Sequence, residues 1–103
     1  DDVASSAPVL ASLVDVNNPG RCWDICKESV SVGRGTAADI RLASDHVSTL
    51  HFTLSCDAGQ WIIKDANSTN GTMVNGTQVT APTPIKNGDT ISIADMQLAF
   101  RLR

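Results

Sequence analysis

The sequence predicts an all-β domain, a sandwich or barrel of short strands. Three observations carry that expectation. Short apolar, alternating or β-branched runs recur at close spacing. Turn clusters such as Asn17-Asn18-Pro19-Gly20, Asp57-Ala58-Gly59 and Asn87-Gly88-Asp89 separate them. No window sustains the 3.6-residue apolar period that a helix would need.

In chain order, Val9 to Val16 is a β-branched apolar run that Asn17-Asn18-Pro19-Gly20 ends. Arg21 to Ile25 and Val30 to Val32 alternate as half-buried strands do, and Gly33-Arg34-Gly35 interrupts them. Ile40 to Leu42 is a further short piece, followed by the polar stretch Ala43 to Thr49. His51 to Cys56 alternates cleanly, and Gln60 to Lys64 returns after Asp57-Ala58-Gly59 as its hairpin partner. Asp65 to Gly71 is a long polar loop. Thr72 to Val74 and Gln78-Val79 flank Asn75-Gly76, two positions that both accept positive φ and so favour a tight hairpin. Pro82 and Pro84 forbid a central strand nearby, because proline brings no N–H to a ladder. Thr90 to Ile93 and Met96 to Arg103 close the chain. The second has Leu98, Phe100 and Leu102 on one face and Gln97, Ala99, Arg101 and Arg103 on the other. This makes nine or ten strands in one domain over residues 8–103, after a disordered lead-in over residues 1–7.

The 103 residues carry 8 Lys+Arg against 11 Asp+Glu, a formal net charge of −3. There is room for one core and no second domain. An acidic chain is a poor general nucleic-acid binder, since backbone affinity comes from clustered cations that neutralise phosphates. An anion site here must be local and small. No apolar run approaches the roughly 18 residues of a membrane span, and no signal-peptide pattern opens the chain. The chain begins Asp1-Asp2-Val3 without an initiator Met, which reads as a piece of a longer protein or a processed chain. Cys22, Cys26 and Cys56 cannot all pair within the chain, which favours an intracellular, reducing compartment, nucleus or cytoplasm.

Function in such a scaffold concentrates in loops at one end of the strands. Three are unusual. In Val32-Gly33-Arg34-Gly35 one Arg stands between glycines at a strand end, suited to bidentate contact with a phosphate or carboxylate. In Val47-Ser48-Thr49-Leu50-His51 hydroxyls precede a strand that His51 opens. Asn67-Ser68-Thr69-Asn70-Gly71-Thr72 gathers small residues, five of which carry a side-chain hydrogen-bonding group. Singly, each has a plain alternative: a solvated Arg, turn or capping hydroxyls, a core histidine, and a loop that bonds to its own backbone. Asn67-Ser68-Thr69 is also a formal glycosylation sequon, irrelevant in a reducing compartment.

Their order is more specific than any one of them. Gly33-Arg34, then Asp39-Ile40 to Leu42, then Ser48 and His51 as S-x-x-H, then Trp61 to Asp65, then Ser68-Thr69-Asn70-Gly71-Thr72 with Asn75-Gly76, then Asn87-Gly88-Asp89 before Ile91, resembles the forkhead-associated (FHA) domain from about Leu10 to Leu102. The resemblance implies an FHA-type β-sandwich of two sheets and about eleven strands, which recruits a phosphothreonine-containing partner in signalling, for example DNA-damage or cell-cycle signalling. It implies that Arg34 and Ser48 bind the phosphate, that Thr69 and Asn70 lie beside the phosphothreonine, and that Asn70 bonds the peptide main chain. His46, two residues before Ser48, matches a position that selects the third residue after the phosphothreonine. Gly33, His51, Gly71, Asn75 and Gly76 match loop-shaping positions. No catalysis, cofactor, metal, nucleic acid or membrane is expected of the domain, which should be monomeric in isolation.

One departure matters. The position after Ser48 often carries a basic or amide group that assists the phosphate, and here it is Thr49, with Leu50 following. Thr49 is therefore expected to join Arg34, Ser48, Thr69 and Asn70 at the phosphothreonine with only a neutral hydroxyl, and His46 is expected to be the only other nearby group able to become cationic. Three rival classes differ in what they require. A hydrolase would need Ser48 and His51 to meet an Asp, without the turn that usually presents a nucleophilic serine. A metal site would need Cys22, Cys26, Cys56, His46 and His51 to converge. An FHA scaffold that binds or oligomerises without phosphate would need none of the site chemistry.

Overall fold

A computed structural model describes residues 9–42, 44, 46–93 and 96–102. The expected lead-in over residues 1–7, and Arg103, lie outside them. The strands are β1 Ala11–Asp15, β2 Cys22–Ile25, β3 Ser29–Gly33, β4 Ile40–Arg41, β5 Phe52–Asp57, β6 Gln60–Asp65, β7 Thr72–Val74, β8 Thr77–Gln78, β9 Thr83–Ile85, β10 Thr90–Ile93 and β11 Met96–Leu102. They form a six-stranded sheet, β2-β1-β11-β10-β7-β8, and a five-stranded sheet, β4-β3-β5-β6-β9. Every pairing is antiparallel except that of β3 with β4.

The alternation read from the sequence is the alternation of burial. Leu13, Ile91, Ile93, Leu98 and Phe100 from one sheet meet Val32, Phe52, Leu54 and Ile63 from the other, all fully buried. Each large apolar side chain so buried contributes about 1.5–3 kcal/mol. Trp61 crosses the layer to Phe100 with ring centroids 5.8 Å apart, an edge-on pair worth about 0.5–1.5 kcal/mol more. Leu102 departs from its expected face: it is 44% exposed at the end of β11.

Two hairpins turn as their sequences require. Ala58 and Gly59 (φ 53° and 83°) join β5 to β6, and Asn75 and Gly76 (φ 52° and 86°) join β7 to β8. Pro84 lies within β9, an edge strand, where no neighbour needs its missing N–H. This short edge strand, with Pro82 just before it and Pro84 inside it, is the one that the alternation pattern does not show. Because β3, β5 and β6 are adjacent and alternate in direction, the end of β3, the start of β5 and the end of β6 share one end of the sandwich. The three unusual loops start or finish there.

Candidate functional site

Main-chain bonds clamp the Arg34 turn onto the Ser48 loop. The Arg34 amide donates to Ser48 O at 2.9 Å and the Gly35 amide to Thr49 O at 3.0 Å. This contact requires Gly33: a Cβ there would stand 2.3 Å from the Thr49 carbonyl oxygen. The glycine is thus demanded by close approach of two backbones. Arg34 is exposed, yet its Nε–H donates to Val47 O at 3.1 Å, and Val47 is itself core. The root of the guanidinium is therefore fixed by buried structure.

His51 ties this loop to the one after β6. Its Nδ1 accepts the Ser48 amide at 3.1 Å, which leaves Nε2 to donate to Gly71 O at 2.8 Å, and the ring is fully buried. This is the tautomer of a structural histidine. The Asp65 carboxylate organises the second loop. It accepts the Ser68 amide at 3.0 Å, the Ser68 hydroxyl at 2.5 Å and the Thr72 hydroxyl at 2.7 Å. Burial alone would raise its pKa, but these bonds outweigh burial and hold it below the usual carboxylate value. Asn67 and Gly71 turn the chain at φ 59° and 80°.

The two loops then meet. Ser48 Oγ accepts the Thr69 amide at 3.0 Å, and a hydroxyl that accepts this bond can still donate its own O–H. Asn70 Nδ2 donates to His46 O at 2.6 Å, and the exposed amide has a second N–H and a carbonyl as further hydrogen-bonding capacity. Arg34, Ser48, Thr69, Asn70 and the His46 main chain are thus assembled at one place, with an exposed cation beside several neutral donors. Thr49 adjoins them differently, its methyl packed over Gly35.

Asn75 and Gly76 lie at the far end of β7 from this cluster. There the Asn75 side chain donates to Asp89 at 3.1 Å and accepts the Thr90 amide at 3.0 Å, joining two turns. Neither nitrogen of His51 faces the Ser48 hydroxyl, so the pair has no nucleophile and base geometry. Among the described residues no three His, Cys, Asp or Glu side chains converge as a metal site, and the three thiols are free.

Two features escaped the sequence reading. Asp65 is one: an Asp carboxylate can accept the N–H three residues on, as a capping Asp does, and Ser68 stands at that spacing. Arg41 corrects the expectation that His46 is the only other group near the site able to carry positive charge: its Nε–H donates to the Arg34 carbonyl at 3.1 Å. Nearby, Asp39 has a lowered pKa, held by Lys27 at 2.8 Å and by the Ser31 amide at 2.9 Å.

A family model described as the FHA domain matches residues 30–94, and the chain belongs to that family. FHA domain-containing protein FhaA of Mycobacterium tuberculosis is 32% identical over 97 residues, covering 94% of this chain and 18% of FhaA. Among solved structures, Mycobacterium tuberculosis EmbR in complex with a low affinity phosphopeptide superposes with a TM-score of 0.85 at 27% identity, over 97% of this chain and 26% of that one. A chain solved in work on phosphothreonine-dependent FHA domain interactions gives 0.83 at 30% identity, over 91% of this chain and 97% of that one. The chain spans only 18% of FhaA, 2% of human Ki-67 and 50% of mycobacterial FhaB.

Proposed function

We propose that this domain binds a phosphothreonine in an extended segment of a partner protein and so recruits that partner in signalling. The observation that carries the reading is the bond from the Thr69 amide to Ser48 Oγ, which joins the loop beside Arg34 to the loop that presents Asn70. A phosphate monoester brings about −1.5 to −2 charges at neutral pH and strong acceptor oxygens. One Arg with the Ser48 hydroxyl, and Thr69 and Thr49 beside them, can supply several charge-assisted hydrogen bonds. Asn70 is left for the peptide main chain and His46 for a side chain further along. A net charge of −3 is no obstacle, because the site is only a few residues wide.

The domain binds and does not catalyse; any activity belongs to other parts of the protein that carries it. It engages neither nucleic acid nor membrane and acts as a monomer. Among the described residues no helix is long and apolar enough to cross a membrane. An intracellular placement rests on the odd cysteine count, and relatives that are largely mycobacterial lend no support to the nucleus over the cytoplasm. Titration of one peptide as threonine, phosphothreonine and phosphoserine tests the function. Binding should require the phosphate and favour phosphothreonine. The methyl group alone accounts for about 0.8 kcal/mol of that preference, with the stiffer β-branched side chain adding to it. Equal binding of the unphosphorylated peptide would instead identify a phosphate-independent interaction module.

A further inference from the structure

Arg41 stands at the base of the turn that carries Arg34. Parallel pairing of β3 with β4 sets it opposite Gly33, and its Nε–H bonds the Arg34 carbonyl at 3.1 Å. The amide of that same residue bonds Ser48 O at 2.9 Å, so Arg41 is one residue removed from the Ser48 loop. Main chain, and not a carboxylate, fixes its position: among the described residues the ion pairs are Arg21 with Asp15 and Lys27 with Asp39. The carboxylate two residues away, Asp39, is already engaged by Lys27 and Ser31. Held through Nε, the exposed guanidinium keeps its other four N–H donors in one plane, a fork that matches a carboxylate.

We infer that Arg41 is a specificity-determining residue that reads an acidic side chain flanking the phosphothreonine; this rests on the function proposed above. Arg34 and Arg41 are anchored through Nε on different carbonyls, Val47 O and Arg34 O, so each guanidinium is held by its own main-chain contact. One cation serves the phosphate and the other meets a neighbouring residue of the same peptide. Thr49 contributes no charge, so once Arg34 engages the phosphate Arg41 is a cation left for the flanking residue.

The test uses a phosphothreonine peptide with alanine at the flanking positions, and a series in which glutamate replaces each alanine in turn. Wild-type domain should bind the peptide with glutamate at one flanking site about two- to fivefold more tightly than the alanine parent, the range of an exposed ion pair, with the gain shrinking as salt is raised. Arg41→Gln should abolish that gain while binding the alanine parent within about twofold of wild type, which also reports an intact fold. A glutamate gain that survives Arg41→Gln, or no gain at any position, overturns the inference while leaving phosphothreonine binding in place. A wild-type domain that binds no phosphopeptide of the series overturns the proposed function and this inference with it.

Discussion

The Nδ1 of His51 accepts the Ser48 amide at 3.1 Å, so a fully buried imidazole orients the residue whose hydroxyl oxygen receives the Thr69 amide from the opposite loop. Through Nε2 the same ring holds Gly71 O. One side chain thus sets the spacing between the two halves of the site before any ligand arrives, and binding need not spend energy on ordering them.

His51→Ala should therefore harm fold and binding together. It leaves a cavity and deprives two part-buried main-chain groups, Ser48 N–H and Gly71 O, of their partner, a combined cost of about 2–5 kcal/mol. Thermal unfolding should show a clear fall in Tm, and phosphopeptide affinity should drop at temperatures where the variant is still folded.

Gly33→Ala and Gly71→Ala separate two reasons for a glycine. At position 33 a Cβ meets the Thr49 carbonyl at 2.3 Å, so the Ser48 loop must move, at about 1–3 kcal/mol as overpacking does. At position 71 the nearest atom is Gln78 Nε2 at 3.6 Å, and the cost is that of a left-handed φ of 80°, about 1–2 kcal/mol. Denaturant unfolding paired with peptide titration should find the larger loss of affinity per kcal/mol of lost stability in Gly33→Ala, whose clash lies beside Ser48.

Asp65 makes acid stability a readout of the loop. Its folded pKa lies below the unfolded value of about 3.9. Its stabilisation is therefore fully present above that value and is lost as pH falls through the folded pKa. Asp65→Asn should lower Tm at pH 7, and the gap to wild type should narrow as pH is taken below about 4. A gap that stays constant down to pH 2 would show that the carboxylate charge is not what holds Ser68 and Thr72.

Much of this is legible in the sequence, for identifiable reasons. The inward faces of β5 and β11 follow from strict alternation, apart from Leu102 at a strand end where the opposite sheet no longer covers it. Arg34, Ser48, Thr69 and Asn70 stand out because their spacing within short motifs is itself the signal. What stays hidden depends on distant parts of the chain coming together. Nothing local tells that Arg41 reaches the Arg34 carbonyl, since this follows from the parallel pairing of β3 with the two-residue β4. Nor does local sequence show that Asn75 serves the Asp89 turn at the other end of the domain.

The central claim is that the phosphate is read at Arg34 beside Ser48, and the most direct measurement is the affinity ratio between phosphothreonine and threonine forms of one peptide, in wild type and in Arg34→Ala. Charge-assisted hydrogen bonds of about 1.5–3 kcal/mol predict that the variant loses roughly 10- to 100-fold in phosphopeptide affinity, with the ratio collapsing toward one. An unchanged ratio in Arg34→Ala would contradict the account and move the phosphate site elsewhere.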